Sequence, residues 1–215
     1  LDVAQVLLHF GAHPPAVRKD TKQKTSALWA AASRGHARVC QLLIDADAHL
    51  AESTEPGNES KEDTTSTPLH AACHYGHWDT FTTVLAACKG CITVPATAGP
   101  HDGYTPLHVA ASRGFDRIVK HLLQRQYEWN RDLLFPNAQS KKTPLELACA
   151  RGHHPTITVL LDAMREDRRG VPVGSVSGPI LQAAEAGHTG VLQLLLSTVF
   201  GLADGDASTT WWDVC

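Results

Sequence analysis

The sequence has few of the features that mark several large classes of protein. Its formal net charge is only −3, so it lacks the basic excess that nucleic-acid binding requires. No apolar run reaches the roughly 18 residues of a membrane-spanning helix. Aromatic residues make up 6% and charged residues 19% of the 215, which is ordinary for a globular chain. We therefore expect a protein that neither binds nucleic acid nor spans a membrane.

Catalytic motifs are also missing from the sequence. It contains no G-x-S-x-G and no H-E-x-x-H, and the glycines of 170–178 are not followed by the Lys-Ser/Thr of a phosphate-binding loop. The carboxylates are scattered over the connecting segments. The sequence therefore predicts a protein that is not an enzyme and needs no cofactor.

What the sequence does contain is a repeat. Five similar stretches recur along it: SALWAAASRGH (26–36), TPLHAACHYGH (67–77), TPLHVAASRGF (105–115), TPLELACARGH (143–153) and GPILQAAEAGH (178–188). Their glycines, from Gly35 to Gly187, follow in steps of 41, 38, 38 and 35 residues. Repetition at such a period indicates stacked supersecondary units.

The repeats divide the chain into a repeat domain over 1–202 and a C-terminal segment over 203–215. The predicted units span about 20–50, 62–88, 100–127, 138–165 and 173–198. Residues 1–14 align with 37–50 and are interpreted as half of an earlier unit. We therefore expect further repeats or another domain before Leu1.

The second unit shows why each unit should fold as a pair of helices. Thr67 is a suitable N-cap, and Pro68 fits the first helical position because its missing N–H would have had no partner there. Gly76 supplies the left-handed residue that ends the helix. A second helix is predicted over 78–87, where apolar residues recur at helical spacing. One such pair cannot bury its apolar face alone, so the units must stack.

These motifs resemble the ankyrin repeat family, which opens each unit on T-P-L-H-x-A-A, turns at a Gly-His pair and has a leucine-rich second helix. The resemblance runs from Leu1 to about Leu196. It implies an all-α repeat solenoid of helix-turn-helix units with β-hairpin or loop connectors, which binds other proteins. The sequence departs from the motif at Trp29 and Glu146, which replace the His, and at Gly178, where the helix start should be less well capped.

The recurring histidines admit two interpretations, as metal ligands or as structural elements. Six of the thirteen occupy repeat positions: His70 and His108 in the opening, and His36, His77, His153 and His188 after the glycine. A zinc site needs about four ligands at one point, whereas stacking places equivalent residues side by side. We therefore favour packing and hydrogen bonding over a metal site.

The six cysteines include one close pair. Cys88 and Cys91 form a C-x-x-C, which is either an ordinary connector or a redox or metal pair. No second pair stands at zinc-finger spacing, so we prefer the connector. Cys40, Cys73 and Cys149 occupy helical positions and should behave as small buried hydrophobes. This usage fits a reducing compartment and predicts an intracellular protein, cytoplasmic or nuclear.

The first long connector, 51–64, is acidic. Residues 51–63 carry a local charge of −4, together with Ser, Thr, Pro and Gly. Such composition predicts a flexible insertion. A solvated loop is preferred here to a docking site for a basic partner.

Partner contacts are predicted from the resemblance, because the concave face of such stacks is built from connector tips and the ends of the first helices. Candidate contacts lie just before the repeat glycines and on the tips: Arg34, His74, Tyr75, His101, Asp102, Tyr104, Arg113, Lys142 and Arg151. Three arginines at equivalent positions could bind carboxylates in bidentate fashion, and Arg and Tyr are enriched at binding hot spots. Arginine there could equally serve solubility and the helix C-terminus.

The C-terminal segment is a candidate cap. Residues 191–202 are apolar nearly all round, and terminal repeats need a polar outer face. Trp211 and Trp212 could fold back over this end, or they could dock to another chain. We prefer the cap, since the apolar end is in the same chain.

Three functions remain open. The preferred one is a non-catalytic scaffold that binds another protein through its concave face. The second is a regulatory or targeting portion of a larger enzyme, and the third is an architectural subunit of a stable assembly.

Overall fold

The computed structural model describes residues 27–46, 67–88, 90–96, 103–126, 142–166 and 176–200. The predicted half unit 1–14, the acidic insertion 51–64 and the C-terminal segment 203–215 lie outside these ranges. The described residues form ten α-helices: α1 (Ala27–Ser33), α2 (Ala37–Ala46), α3 (Pro68–Tyr75), α4 (Trp78–Ala87), α5 (Pro106–Arg113), α6 (Asp116–Gln126), α7 (Pro144–Ala150), α8 (His154–Glu166), α9 (Ser177–Glu185) and α10 (Thr189–Phe200). There is no strand within these ranges, so the predicted all-helical repeat fold is confirmed.

The helices pack in two rows. The first helices of the units form an inner row in which α1 contacts α3, α3 contacts α5, α5 contacts α7 and α7 contacts α9. The second helices lie behind them, with contacts between α2 and α4 and between α6 and α8. Each first helix also packs on its own second helix. The units therefore stack in chain order, as a solenoid requires.

The inner helices begin at the predicted threonines. Thr67 is extended and its side chain accepts from the backbone N–H of His70, while Pro68 occupies the first turn. Thr143 begins α7 in the same way, and Thr105 is also extended, with Pro106 in the first turn of α5. In the fifth unit, α9 starts at Ser177, and the N-cap residue Val176 makes no side-chain hydrogen bond to the helix. The expectation that this helix start is less well capped is therefore confirmed.

The core lies between the two rows and is built from small and branched apolar side chains. Leu69, Ala72 and Cys73 of α3 are fully buried, as predicted. Burial raises the pKa of Cys40 and of Cys149 to about 12. At that pKa the thiols stay protonated at neutral pH, so these cysteines act as buried hydrophobes.

The repeat glycines end the inner helices in the left-handed region. Gly76 has φ +74° and Gly114 has φ +79°. A ring from the next unit also lies against each of them. A Cβ on Gly76 would meet the Phe115 ring, and one on Gly114 would lie 2.6 Å from His153 Nδ1. Glycine is therefore required here both for its φ and for the close approach of the following unit.

One connector shows the hairpin contact that the family resemblance implies. The backbone N–H of Ala96 donates to the carbonyl of Tyr104 at 2.7 Å, and that of Gly103 donates to the carbonyl of Ala96 at 2.8 Å. These two bonds close the connector just before α5. They hold Tyr104 at the edge of the inner row.

The Cys88–Cys91 segment differs from the prediction of an ordinary connector. The two sulfurs form a disulfide, and the Cα atoms are 5.6 Å apart. A 3₁₀ turn over Gly90–Ile92 directly after α4 brings the second cysteine back towards the first. Both cysteines are at most 2% exposed. The preference for an ordinary connector was therefore wrong, because spacing alone does not reveal this turn.

We expect the Cys88–Cys91 bond to stabilise the fold by about 2 kcal/mol, the value that loop-closure entropy gives for so short a ring. Urea unfolding with and without dithiothreitol measures this contribution. A variant with both cysteines changed to Ala is the control, because reductant should not alter its unfolding. Equal unfolding curves for the native chain in the two conditions would contradict the prediction.

Candidate functional site

Four predicted contact residues line up along the inner row. Arg34, Tyr75, Arg113 and Arg151 each stand directly before the repeat glycine of their unit, and we call them the rim row. The three arginines are exposed, and Tyr75 is 37% exposed. The fifth unit has Ala186 at this position. Because the inner helices contact one another in order, the rim row runs across four successive units.

The arginines of the rim row differ in what they touch. Among the described residues, Arg34 Nη1 makes one long contact, 3.5 Å, to the carbonyl of Ala30 in its own helix. The Arg113 guanidinium instead reaches back to the preceding unit, where its Nη2 contacts the ring nitrogens of His74. A guanidinium can only donate, so His74 accepts as a neutral ring.

Among the described candidate contacts, His74 is the one that is buried. It is only 4% exposed, since the ring is covered by Arg113 and packs edge-on against Tyr75 at 4.8 Å between centroids. Its burial leaves Arg113 and Tyr75 as the exposed groups at this point of the surface. It supports the two exposed side chains on either side of it.

Tyr104, two residues before α5, is close enough to Arg151 to be influenced by its charge. Tyr104 is half-buried, and its ring stacks on His108 at 5.5 Å. Burial raises the pKa of Tyr104, and Glu146 adds to this effect while the charge of Arg151 opposes it. These influences place both charged groups near the phenol.

The described tip residue Lys142 bridges to the next unit. Its exposed side chain donates from Nζ to Gln182 Oε1 at 3.2 Å, and Gln182 Nε2 donates to Glu185 Oε2 at 3.1 Å. The predicted contacts His101 and Asp102 lie outside the described residues.

The histidines of the T-P-L-H motif join one unit to the next. His108 Nε2 donates to the carbonyl of Lys142 at 3.1 Å, and Thr105 Oγ1 lies 2.8 Å from Nδ1. His70 makes the same pair of contacts, to the carbonyl of Tyr104 at 3.0 Å and to Thr67 at 2.7 Å. A carbonyl can only accept, so Nε2 carries the proton. The structural interpretation of these histidines is confirmed.

Two of the histidines after the glycines join their unit to the one before. His77 Nε2 donates to the carbonyl of Ser33 at 3.2 Å, and His153 Nε2 donates to that of Ser112, also at 3.2 Å. These carbonyls lie at the ends of α1 and α5, where helical carbonyls lack intrahelical partners. Phe115 takes the same place in the third unit and packs on Gly76 without a polar contact.

Glu146 makes a contact between units in which the side chain is an acceptor, whereas the equivalent histidines donate. It sits where the other units have His, and its Oε2 accepts from the backbone N–H of Thr143 at 2.7 Å. The other oxygen lies against the first turn of α9, so close that a Cβ on Gly178 would overlap it. Because α9 already begins at Ser177, Glu146 meets the start of this helix rather than a connector carbonyl. A carboxylate suits the positive end of a helix.

Comparison with known sequences agrees with this architecture. The family described as ankyrin repeats (3 copies) matches residues 1–94, 49–132 and 92–169. The chain belongs to the ankyrin repeat family.

Two curated relatives are much longer than this chain. The ankyrin repeat domain-containing protein SAT10 of Stachybotrys chartarum is 31% identical over 148 residues, which is 65% of this chain. The human transient receptor potential cation channel subfamily A member 1 is 33% identical over 103 residues, or 48% of this chain. In each case the match covers 8% of the relative's length.

Ankyrin repeats are in general protein-interaction modules without catalytic activity. Among the described residues of this ankyrin stack, no group of three or more His, Cys, Asp or Glu is placed to hold a metal ion. No helix in the same ranges is both long and apolar enough to cross a membrane.

Proposed function

We propose that this ankyrin stack is a non-catalytic scaffold that binds a partner protein through its concave face and connector tips. The observation that supports this is the rim row, in which Arg34, Tyr75, Arg113 and Arg151 stand exposed on four successive units. Arg and Tyr are the side chains most often found at binding hot spots. Tyr104 and Lys142 extend the proposed surface towards the tips.

A second function is favoured by the comparisons. The match covers only 8% of each curated relative, so the stack corresponds to one segment of each of these far larger proteins. By analogy it would act as a regulatory or targeting portion, for instance of an enzyme or of a membrane protein like the cation channel. The binding surface would be the same, and the bound segment would belong to the same assembly.

An intracellular location, cytoplasmic or nuclear, is part of the proposal. The free and buried thiols of Cys40, Cys73 and Cys149 support it. The Cys88–Cys91 bond is the observation against it, because disulfides are rare in reducing compartments. Alkylation of the protein in intact cells, followed by mass spectrometry, distinguishes the two states of this pair.

The proposed function predicts that changing Arg34, Tyr75, Arg113 and Arg151 to Ala weakens partner binding at least about tenfold, because hot-spot truncations cost more than 1 kcal/mol each. Affinity capture of residues 1–215 from a cell extract identifies the partner, and titration of the purified partner gives the dissociation constant for each variant.

The matched control changes exposed cations of the second helices, Arg38, Lys120 and Arg165, to Ala. It removes the same number of positive charges, three, but leaves the rim row intact. We expect this control to bind the partner within about twofold of the native affinity, because its charges lie away from the proposed contact surface. If the rim-row variant and the native chain bind every captured protein with equal affinity, the proposed function is contradicted.

A further inference from the structure

The charges of the inner row are unusual in their distribution. The described first helices and their glycine turns carry five charged side chains in all: Arg34, Arg113, Glu146, Arg151 and Glu185. Both carboxylates are already engaged, Glu146 by the backbone of Thr143 and Glu185 by Gln182. Within the described residues, no ion pair joins any of the three guanidinium groups to a carboxylate. The exposed charge of the rim row is thus purely cationic.

Solubility alone does not explain this pattern. The second helices, whose charges also face solvent, carry both signs: Arg38, Asp45, Asp79, Asp116, Arg117, Lys120, Asp162 and Arg165. A surface that serves only to stay in water mixes its charges in this way. The rim row keeps one sign over three of four units, with an exposed aromatic ring in the remaining one.

Neutralising the partial negative charge at the helix C-termini explains only part of this cationic pattern. Arg34 lies within 3.5 Å of a carbonyl of its own helix, which fits a cation placed at a C-terminus. Arg113 instead extends across to His74 of the preceding unit and leaves its own helix. Its guanidinium is therefore held between units, where a bound chain that crosses the units would pass.

The spacing of the row defines the shape of a ligand. Packed helices lie about 8–10 Å apart, so the backbones of successive rim residues stand about that far from each other, although the Arg113 guanidinium bends towards His74. A polyproline II segment has three residues per turn and rises about 3.1 Å per residue. Every third side chain of such a segment lies on one face, at steps of about 9 Å. The two periods agree.

We infer that the rim row binds an acidic polyproline II segment of a partner protein, with its carboxylates on one face. Acidic side chains at the first, seventh and tenth positions meet Arg34, Arg113 and Arg151, and an apolar side chain at the fourth position packs on Tyr75. Guanidinium groups bind carboxylates in bidentate fashion, which selects this spacing as well as this charge. The inference rests on the proposed function and names the chemistry of its partner.

A designed peptide tests the inference directly. The probe is a fluorescein-labelled decamer, Glu-Pro-Pro-Leu-Pro-Pro-Glu-Pro-Pro-Glu, and the readout is fluorescence anisotropy. One control replaces each Glu by Gln. The other has the same composition with the three Glu at positions 1, 6 and 8, which lie on three different faces of the helix. We expect the probe to bind at least about tenfold more tightly than either control.

Variants of the full chain identify the surface. Arg34, Arg113 and Arg151 changed together to Ala should lower the affinity for the probe at least about tenfold, and changing them to Lys should lower it several-fold, because Lys keeps the charge but not the bidentate geometry. The Arg38, Lys120 and Arg165 variant should bind like the native chain. Circular dichroism checks that each variant is folded.

The outcomes are distinct. Equal binding of the probe and the rearranged peptide would overturn the inference, since charge alone would then suffice. So would rim-dependent binding of a single-stranded RNA oligomer as tight as that of the probe. If the probe does not bind but a captured partner still depends on the rim row, the inference is overturned and the proposed function stands. If the partner does not depend on the rim row, the proposed function itself fails.

Discussion

Gly114→Ala should lower the free energy of unfolding by about 3 kcal/mol. An L-residue at φ +79° costs roughly 1–2 kcal/mol, and overpacking against a neighbouring group adds roughly 1–3 kcal/mol. Here the neighbour is the His153 ring, whose Cγ would lie 2.7 Å from the new Cβ. That ring is fixed by its bond to the Ser112 carbonyl, so it cannot move away without losing a hydrogen bond. Urea unfolding monitored by circular dichroism measures the change.

Gly187→Ala is the matched control for this prediction. Its φ is +73°, but no atom among the described residues lies within 4 Å of its Cβ position. Only the backbone strain applies, so we expect a loss of about 1 kcal/mol. Equal losses at the two sites would show that the ring contact does not contribute.

The pair Gly114→Ala and His153→Ala provides an internal check. Removing the ring gives the new methyl group room, so the double variant should lose less stability than the sum of the two single variants. Contacting residues commonly show interaction energies of about 0.5–3 kcal/mol. Additive losses would mean that the clash is relieved in some other way.

Acid should destabilise the stack through His108, by about 3 kcal/mol in total. Burial lowers the pKa of this ring from 6.5 to about 4, while its bond to the Lys142 carbonyl acts in the opposite direction. The unfolded chain takes up a proton near pH 6.5 and the folded chain only near pH 4. Stability from this group is therefore fully present above pH 6.5 and is lost as the pH falls towards 4.

Urea unfolding at pH 7.5 and at pH 4.5 tests this, with His108→Gln as the comparison. Glutamine cannot titrate, yet its amide can still donate to the Lys142 carbonyl. We expect the native chain to lose about 2.5 kcal/mol more than the variant between the two pH values. His153, whose pKa is also lowered chiefly by burial, adds a change of the same sign to both proteins. Parallel losses in the two proteins would exclude His108 as the titrating group.

Much of the repeat fold could be predicted because its signals are local. Thr67 and Pro68 begin α3, Gly76 ends it, and α4 spans the predicted residues 78–87. Each of these depends on the backbone preferences of a few neighbouring residues. Pro155 likewise lies in the first turn of α8, where its missing N–H costs nothing.

The contacts between units were harder to predict because they join residues more than thirty positions apart. The family resemblance implied that His74 faces a partner, but the long side chain of Arg113 covers it. The sequence also gave no sign that α9 begins at Ser177, before the Gly-Pro pair. For the candidate site, the exposure of Arg34, Tyr75, Arg113 and Arg151 agrees with the prediction, whereas partner binding by them stays a prediction.

The joint between Glu146 and Gly178 makes the order of the repeats matter. A second copy of the third unit could follow the first, because the ring of His108 would again meet a connector carbonyl. A second copy of the fourth unit could not, because the carboxylate of Glu146 would then face the carbonyl of a second Lys142, and both groups are acceptors. The units are thus not interchangeable modules. Any rearrangement of this array, by recombination or by engineering, has to move the fourth and fifth units together.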